Sequence, residues 1–240
     1  MALTPLLLLP GLMNDARVWN PVLQAMPGER TVVVGRTHLA DNMAELAATA
    51  LARMPTGRFA VAGFSLGGYV TLELCRQAPD RIAGVALIDT SARADTAEAR
   101  HNRQQMIDAV SSGSSTFGEV LAHFPARLFT AEHAKDPQMT GLLLDMARSV
   151  GEDGFVRQQT AAMNREDRRD VLAQLSCPAL VACGREDQTT PPERSEEMAQ
   201  LLKGDVELVM VAGAGHMTTL EQPAAIVTAV ERWLAKVDTA

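Results

Sequence analysis

In the stretch FAVAGFSLGGYV, from Phe59 to Val70, one serine is set among glycines directly after an apolar run. A serine hydroxyl is a weak nucleophile until a base takes its proton during attack and a third group orients that base. The spacing Gly63-x-Ser65-x-Gly67 suits such a serine. A sharp strand-to-helix turn strains the backbone of the nucleophile and brings main chain close on both sides. Glycine tolerates that approach because it has no Cβ. The turn also lifts the hydroxyl off the sheet edge. It places the N-terminus of the next helix beneath it, where N–H groups and the helix dipole favour negative charge. The competing reading is a plain turn serine. What decides between them is whether a base and an acid reach the same place.

Both are available in later loops. The run PALVACG is followed by REDQTTPP, which contains Asp187, and VELVMVAG is followed by AGHMTTLEQP, which contains His216. The run PLLLLP leads into PGLMND. In a parallel sheet all strands end at one edge and ligands gather there, so nucleophile, acid and base candidates fall on neighbouring loops, in the chain order Ser, Asp, His. Asp89, in LIDTS, also ends a strand and is the alternative acid. The other histidines compete less well as the base. His38 follows an early strand, and His101, His123 and His133 fall in a helical region.

The elements that must position these groups are legible from periodicity. PLLLLP, TVVVG, FAVAG, GVALID, PALVACG and VELVMVAG are short, apolar and bounded by Gly, Pro or charge, so each reads as a strand. They lack polar alternation, which predicts a sheet covered on both faces, with parallel strands. Helices are predicted between them: Asp41 to Arg53 with Asp41 as N-cap, Gly67 to Gln77 stopped by Pro79, Pro192 to Leu202, and a C-terminal helix with Ile226, Val230, Trp233, Leu234 and Val237 on one stripe. From Ser91 to Asp170 the alternation stops. Helices are predicted there over Thr96–Val110, Thr116–His123, Lys135–Val150 and Gly154–Asn164, with SSGSST as a loop. The expected organisation is a core of residues 1–91 and 171–240 with a helical cap over 92–170.

GFSLGG, GREDQTTPP and GAGHMTTLEQP together resemble the α/β-hydrolase superfamily, among its small esterase-like and lactonase-like members with a helical cap. The resemblance covers the core from Leu6 to the C-terminal helix and matches the cap in position and helical character only. It implies an α/β fold with a mostly parallel open sheet of about six strands, the usual N-terminal strand pair being trimmed. It implies that Ser65 is the nucleophile, His216 the base and Asp187 the acid. It also implies an oxyanion hole made by the N–H groups of Leu66 and Leu12. Many members have His-Gly where this chain has Pro10-Gly11, which leaves that second donor open between Leu12 and Met13. The implied reaction is hydrolysis of carboxylic esters of small or medium acyl groups, extending to thioesters or lactones, with no metal and no cofactor. The alternatives on the same triad are carbon–carbon bond hydrolysis, a lyase of the menaquinone-pathway type, and a slow-turnover ligand receptor. A serine at position 65 argues against haloalkane dehalogenation, which requires aspartate there.

Composition narrows the partners. The chain of 240 residues has a net charge of −7 with both signs interspersed. It has no basic patch of the kind nucleic acid requires. No apolar run is long enough to span a membrane, and no charged start precedes Leu6–Leu9 as in a secretory signal. Three cysteines, Cys75, Cys177 and Cys183, read as reduced thiols in a cytoplasmic protein. The expected partner is a small-molecule acyl substrate. Met13 and Met217 adjoin the motifs and are predicted to line an adaptable apolar pocket, whereas Met106, Met139, Met146 and Met163 read as core filler. Glu221 and Pro223 are expected to open the last helix. The run NREDRRD, with Arg165, Arg168 and Arg169, is expected to be a solvated helix end rather than a bridge from cap to core or a contact to an acidic substrate.

Overall fold

The computed structural model describes residues 3–26 and 28–240. Six strands form one parallel sheet: β1 (Leu6–Leu9), β2 (Val32–Val34), β3 (Phe59–Phe64), β4 (Ile82–Ile88), β5 (Ala179–Gly184) and β6 (Val206–Val211), in the order β2-β1-β3-β4-β5-β6. All neighbouring strands run parallel, with Leu7 beside Val33 and Val61, Val61 beside Val85, Leu87 beside Val181, and Val181 beside Leu208. The apolar runs sort to two faces by the period of two that strands impose. Leu7, Leu9, Val61, Leu87 and Val181 pack on one face, and Leu6, Leu8, Ala60, Ala62, Ala86 and Leu180 on the other. The edge strands β2 and β6 are only partly covered, and Leu208 of β6 is exposed.

Helices cover both faces. On one side lie α2 (Met43–Ala52) and α3 (Leu66–Gln77), and on the other lies α1 (Asn20–Ala25). The N-cap of α2 is Asn42 rather than the expected Asp41: the Asn42 Oδ1 accepts from the Glu45 N–H at 2.9 Å. The two residue types are near-equal caps, so their adjacency hides which one is used.

Between β4 and β5 the chain is helical: α4 (Ala97–Ser111), α5 (Phe117–Ala122), α6 (Phe124–Leu128), α7 (Pro137–Met163) and α8 (Arg169–Leu172). Caps explain the starts. Thr96 accepts from the Ala99 N–H, and Thr116 and Glu119 form a reciprocal capping box. The helix α7 covers both predicted helices of this region and is broken at Gly151, whose φ of 76° is left-handed. The chain then enters α9 (Pro192–Leu201), α10 (Thr218–Glu221) and α11 (Pro223–Thr239). The stripe of α11 is buried as its spacing predicts, with Ile226, Val230, Trp233, Leu234 and Val237 against the sheet.

NREDRRD is solvated only in part: Asn164, Glu166, Asp167 and Asp170 are exposed, whereas Arg165 and Arg168 turn inward. Arg165 is 9% exposed, stacks on the Tyr69 ring with its guanidinium carbon 4.0 Å from the centroid, and pairs with Asp95. Arg168 pairs with buried Glu73 of α3 at 2.8 Å, tying the helical insertion to the core. Burial alone would raise the Glu73 carboxyl. Hydrogen bonds from Arg76, Gln77 and Arg168 outweigh it and hold the group at about 2.

Residue 67 has no room for a side chain. A Cβ there would lie 2.0 Å from the Leu9 carbonyl oxygen and 2.8 Å from that of Pro10. Gly67→Ala is therefore expected to destabilise the fold by about 3 kcal/mol or more in urea denaturation. Gly118→Ala, where nothing lies within 4 Å, should be neutral or slightly stabilising. Equal midpoints for the two variants would contradict this packing.

Candidate active site

The turn after β3 holds Ser65 at φ 51° and ψ −118°, a conformation that L residues avoid, and α3 begins at the next residue. Asp89, at the end of β4, also has positive φ, at 46°. The loops after β5 and β6 bring Asp187 and His216 to the same edge. His216 Nε2 lies 2.8 Å from Ser65 Oγ, and His216 Nδ1 lies 2.8 Å from Asp187 Oδ2. An ionised carboxylate only accepts, so the proton sits on Nδ1 and Nε2 is left to accept from the serine hydroxyl. Ser65, Asp187 and His216 are all buried.

Asp187 is held as an anion. Its Oδ1 accepts from the N–H groups of Thr189 at 2.8 Å and Thr190 at 3.0 Å, and its Oδ2 accepts from Thr190 Oγ1 at 2.7 Å. Burial acts against this, but His216 and these donors keep its carboxyl below the usual range. Asp89 does not reach His216. Its carboxylate accepts from the Gly184 N–H at 3.0 Å and from the Thr218 N–H and hydroxyl. Burial and the nearby Asp187 charge push it well above an ordinary carboxyl. The two close acids are thus shifted in opposite directions by their different settings. Asp89, Cys183 and Asp187 place possible ligand atoms within 4.8 Å of one another, the one such group among the described residues. Their carboxylate oxygens are already taken up by N–H, O–H and imidazole donors.

Glu221 does not open the last helix. It closes α10, and its buried carboxylate gathers the N–H groups of Gly215 at 2.8 Å, Met217 at 3.2 Å and Thr130 at 2.7 Å, with His133 Nδ1 at 3.1 Å. It therefore fixes both neighbours of His216 and fastens them to the helical insertion. The His216 N–H donates to the Leu128 carbonyl at 2.8 Å, a second tie to the same segment.

The loop after β1 is braced by a residue that sequence reasoning missed. Gln158 of α7, fully buried, accepts from the Met13 N–H at 2.9 Å and donates to the Thr37 hydroxyl. The Met13 N–H is thereby used, so of the two expected oxyanion donors only that of Leu12 is uncommitted. The Leu66 N–H opens α3 and has no acceptor within its helix. The Met13 side chain does not line the cavity as expected; it is fully buried beside Val110, Ala147 and Phe155. Met217 does line it. The cavity over Ser65 is bounded by Leu12, Phe64, Leu66 and Met217 from the core and by Phe124 and Leu128 from the insertion. Asn14 also lines it, 2% exposed, with an Nδ2 that has no partner among the described residues. That amide is a donor available to an oxygen atom in the cavity.

The family model for the alpha/beta hydrolase fold matches residues 36–223, and the chain belongs to that family. Among curated relatives, it is 30% identical over 237 residues to the dihydrolipoyllysine-residue acetyltransferase component of an acetoin cleaving system from Pseudomonas putida, covering 91% of this chain and 60% of that one. It is 28% identical over 176 residues to a pimeloyl-[acyl-carrier protein] methyl ester esterase from Neisseria meningitidis, covering 72% of this chain and 55% of that one. The chain thus spans less than two thirds of either relative. A solved thermophilic esterase from Thermogutta terrifontis superposes with a TM-score of 0.86 at 29% identity, over 98% of this chain and 90% of that one. No helix among the described residues is long and apolar enough to cross a membrane.

Burial pushes the His216 imidazole down, and Asp187, with Asp89 and Glu221, outweighs it, so the group titrates above its ordinary value of 6.5. Asp187→Asn removes the largest opposing charge. A histidine NMR titration should find His216 above 6.5 in the wild type and lower in this variant. An unchanged value would show that Asp187 does not govern the imidazole.

Proposed function

We propose that this chain is a serine hydrolase that cleaves carboxylic esters of small or medium acyl groups through an acyl-enzyme. The observation that carries the reading is the pair of 2.8 Å hydrogen bonds linking Ser65, His216 and Asp187 at the floor of a largely apolar cavity. Ser65 Oγ attacks the acyl carbonyl while His216 Nε2 takes its proton. Asp187 holds the imidazole in the useful tautomer and stabilises the imidazolium. The N–H groups of Leu66 and Leu12 receive the oxyanion, each worth about 10²–10³ in rate. His216 then protonates the departing alcohol. Water, deprotonated by the same imidazole, attacks the acyl-enzyme and releases the acid and free Ser65. No step requires a metal or cofactor.

The relatives support an ester substrate, since two of those described are named as esterases. The helical insertion acts as a cap: Phe124 and Leu128 wall the cavity and exclude water from the acyl group. The three unbridged cysteines fit a cytoplasmic enzyme in a reducing compartment.

Steady-state hydrolysis of p-nitrophenyl esters from acetate to octanoate tests this. The wild type should give many turnovers with an optimum at short or medium length, and Ser65→Ala should lower kcat by several orders of magnitude, up to about 10⁶. A folded wild type without turnover would overturn the ester reading in favour of carbon–carbon bond cleavage or a receptor.

A further inference from the structure

Beside the cavity over Ser65 lies a wider, open cleft whose walls include six arginines: Arg93, Arg103, Arg127, Arg165, Arg169 and Arg194. The cleft and the cavity share Tyr69, Arg103 and Thr189 as lining residues, so the arginines stand at the mouth of the catalytic pocket. This is a concentration of positive charge in a chain of net charge −7.

Internal ion pairs account for part of it. Arg93 and Arg169 share Glu197, and Arg169 also pairs with Asp167. Arg103 and Arg165 share the single carboxylate of Asp95, at 2.6 Å and 2.5 Å. Among the described residues, these six guanidinium groups make ion pairs with three carboxylates, Glu197, Asp167 and Asp95. Arg127 and Arg194 have no side-chain hydrogen bond or ion pair with any described residue. The pairs that do exist hold the other arginines in place: Arg103 also donates to Gln159 Oε1 at 2.6 Å, and Arg165 is stacked on Tyr69. A fold needs none of this excess, because burying or crowding like charges costs free energy unless an anion answers them. A concave site of one sign focuses its field and draws in a ligand of the other. Guanidinium forks match the planar geometry of carboxylate and the oxygens of phosphate.

On the hydrolase reading above, we infer that the ester substrate carries an ionised acid group remote from the scissile carbonyl, and that Arg103, Arg127 and Arg194 receive it. The acyl group occupies the apolar cavity over Ser65, and the carboxylate or phosphate at the far end of the molecule sits in the arginine cleft. The receivers belong to α4, α6 and α9, whereas Arg165 and Arg169 of the charged run at Asn164–Asp170 line the same cleft but are already paired with Asp95, Asp167 and Glu197.

The test compares kcat/KM for the monomethyl esters of succinate, glutarate and adipate, which keep a free carboxylate, with their neutral dimethyl esters and with methyl 4-(phosphonooxy)butanoate. The variants are Arg127→Gln and Arg194→Gln, single and combined, which break no ion pair, with Ser65→Ala alongside. An anionic ester should be preferred over its neutral counterpart by about tenfold or more, and rising salt should shrink the preference. The combined variant should reduce that ratio by about tenfold, a change that a general loss of structure would not produce. A larger effect for the monomethyl esters assigns a carboxylate, and a larger effect for the phosphate ester assigns a phosphate. Neutral esters turned over as well as or better than both anionic ones, through a Ser65-dependent reaction, would overturn the inference and leave the hydrolase standing. Hydrolysis that survives Ser65→Ala would instead sink the hydrolase reading. Calorimetric binding of glutarate and of inorganic phosphate gives an arm free of turnover. Saturable binding weakened in the combined variant supports the cleft, and none in the wild type overturns it.

Discussion

His216 is fully enclosed, and a buried imidazole by itself resists becoming charged. Here it is bonded at one nitrogen to an acid that is kept ionised and at the other to a serine hydroxyl. The Asp187–His216 hydrogen bond therefore sets both the tautomer and the readiness to accept a proton. Everything around it serves that one bond. Thr189 and Thr190 keep the Asp187 carboxylate supplied with donors, while burial and the Asp187 charge push the Asp89 carboxyl up. Two like charges that close in a buried site work against each other, so the pair is shifted apart, and Asp89 serves as a hydrogen-bonded brace between Gly184 and Thr218.

The scaffold supplies positions rather than chemistry. A parallel sheet delivers the ends of β3, β5 and β6 to one edge, and the tight approach of Gly67 to the Leu9 carbonyl locks the Ser65 turn against the first strand. The helical insertion is not a detached cover. Through Leu128, Thr130 and Gln158 it bonds to the loop of His216 and to the loop after β1 at Met13, so the insertion and both loops are held together. Rate limitation by opening or closing of such a segment is common in enzymes of this design.

The strands were readable because a sheet buried on both faces leaves uninterrupted apolar runs, and all six fall where those runs lie. The three motif residues were readable because each ends a strand of one parallel sheet. What escaped were contacts that depend on tertiary approach. Gln158 looks like any polar residue on a helix until α7 is laid over the first loop. Met13 lies beside the motif, yet the left-handed turn at its own φ of 59° sends its side chain into the insertion. Glu221 carries the composition of a helix start but spends its carboxylate on the loop before it. The arginines of 165–169 read as solvent-facing because charge runs usually are, and only the fold brings Asp95 and Glu73 to meet them. Asp41 and Asn42 were a choice between chemically similar caps, which local sequence does not separate.

Covalent labelling decides whether Ser65 is an activated nucleophile. The folded protein is treated with a fluorophosphonate and mapped by peptide mass spectrometry. Stoichiometric modification of Ser65 is expected, slowed strongly in His216→Ala and Asp187→Asn and abolished in Ser65→Ala. A folded wild type that stays unlabelled, or that is labelled at another residue, would contradict it.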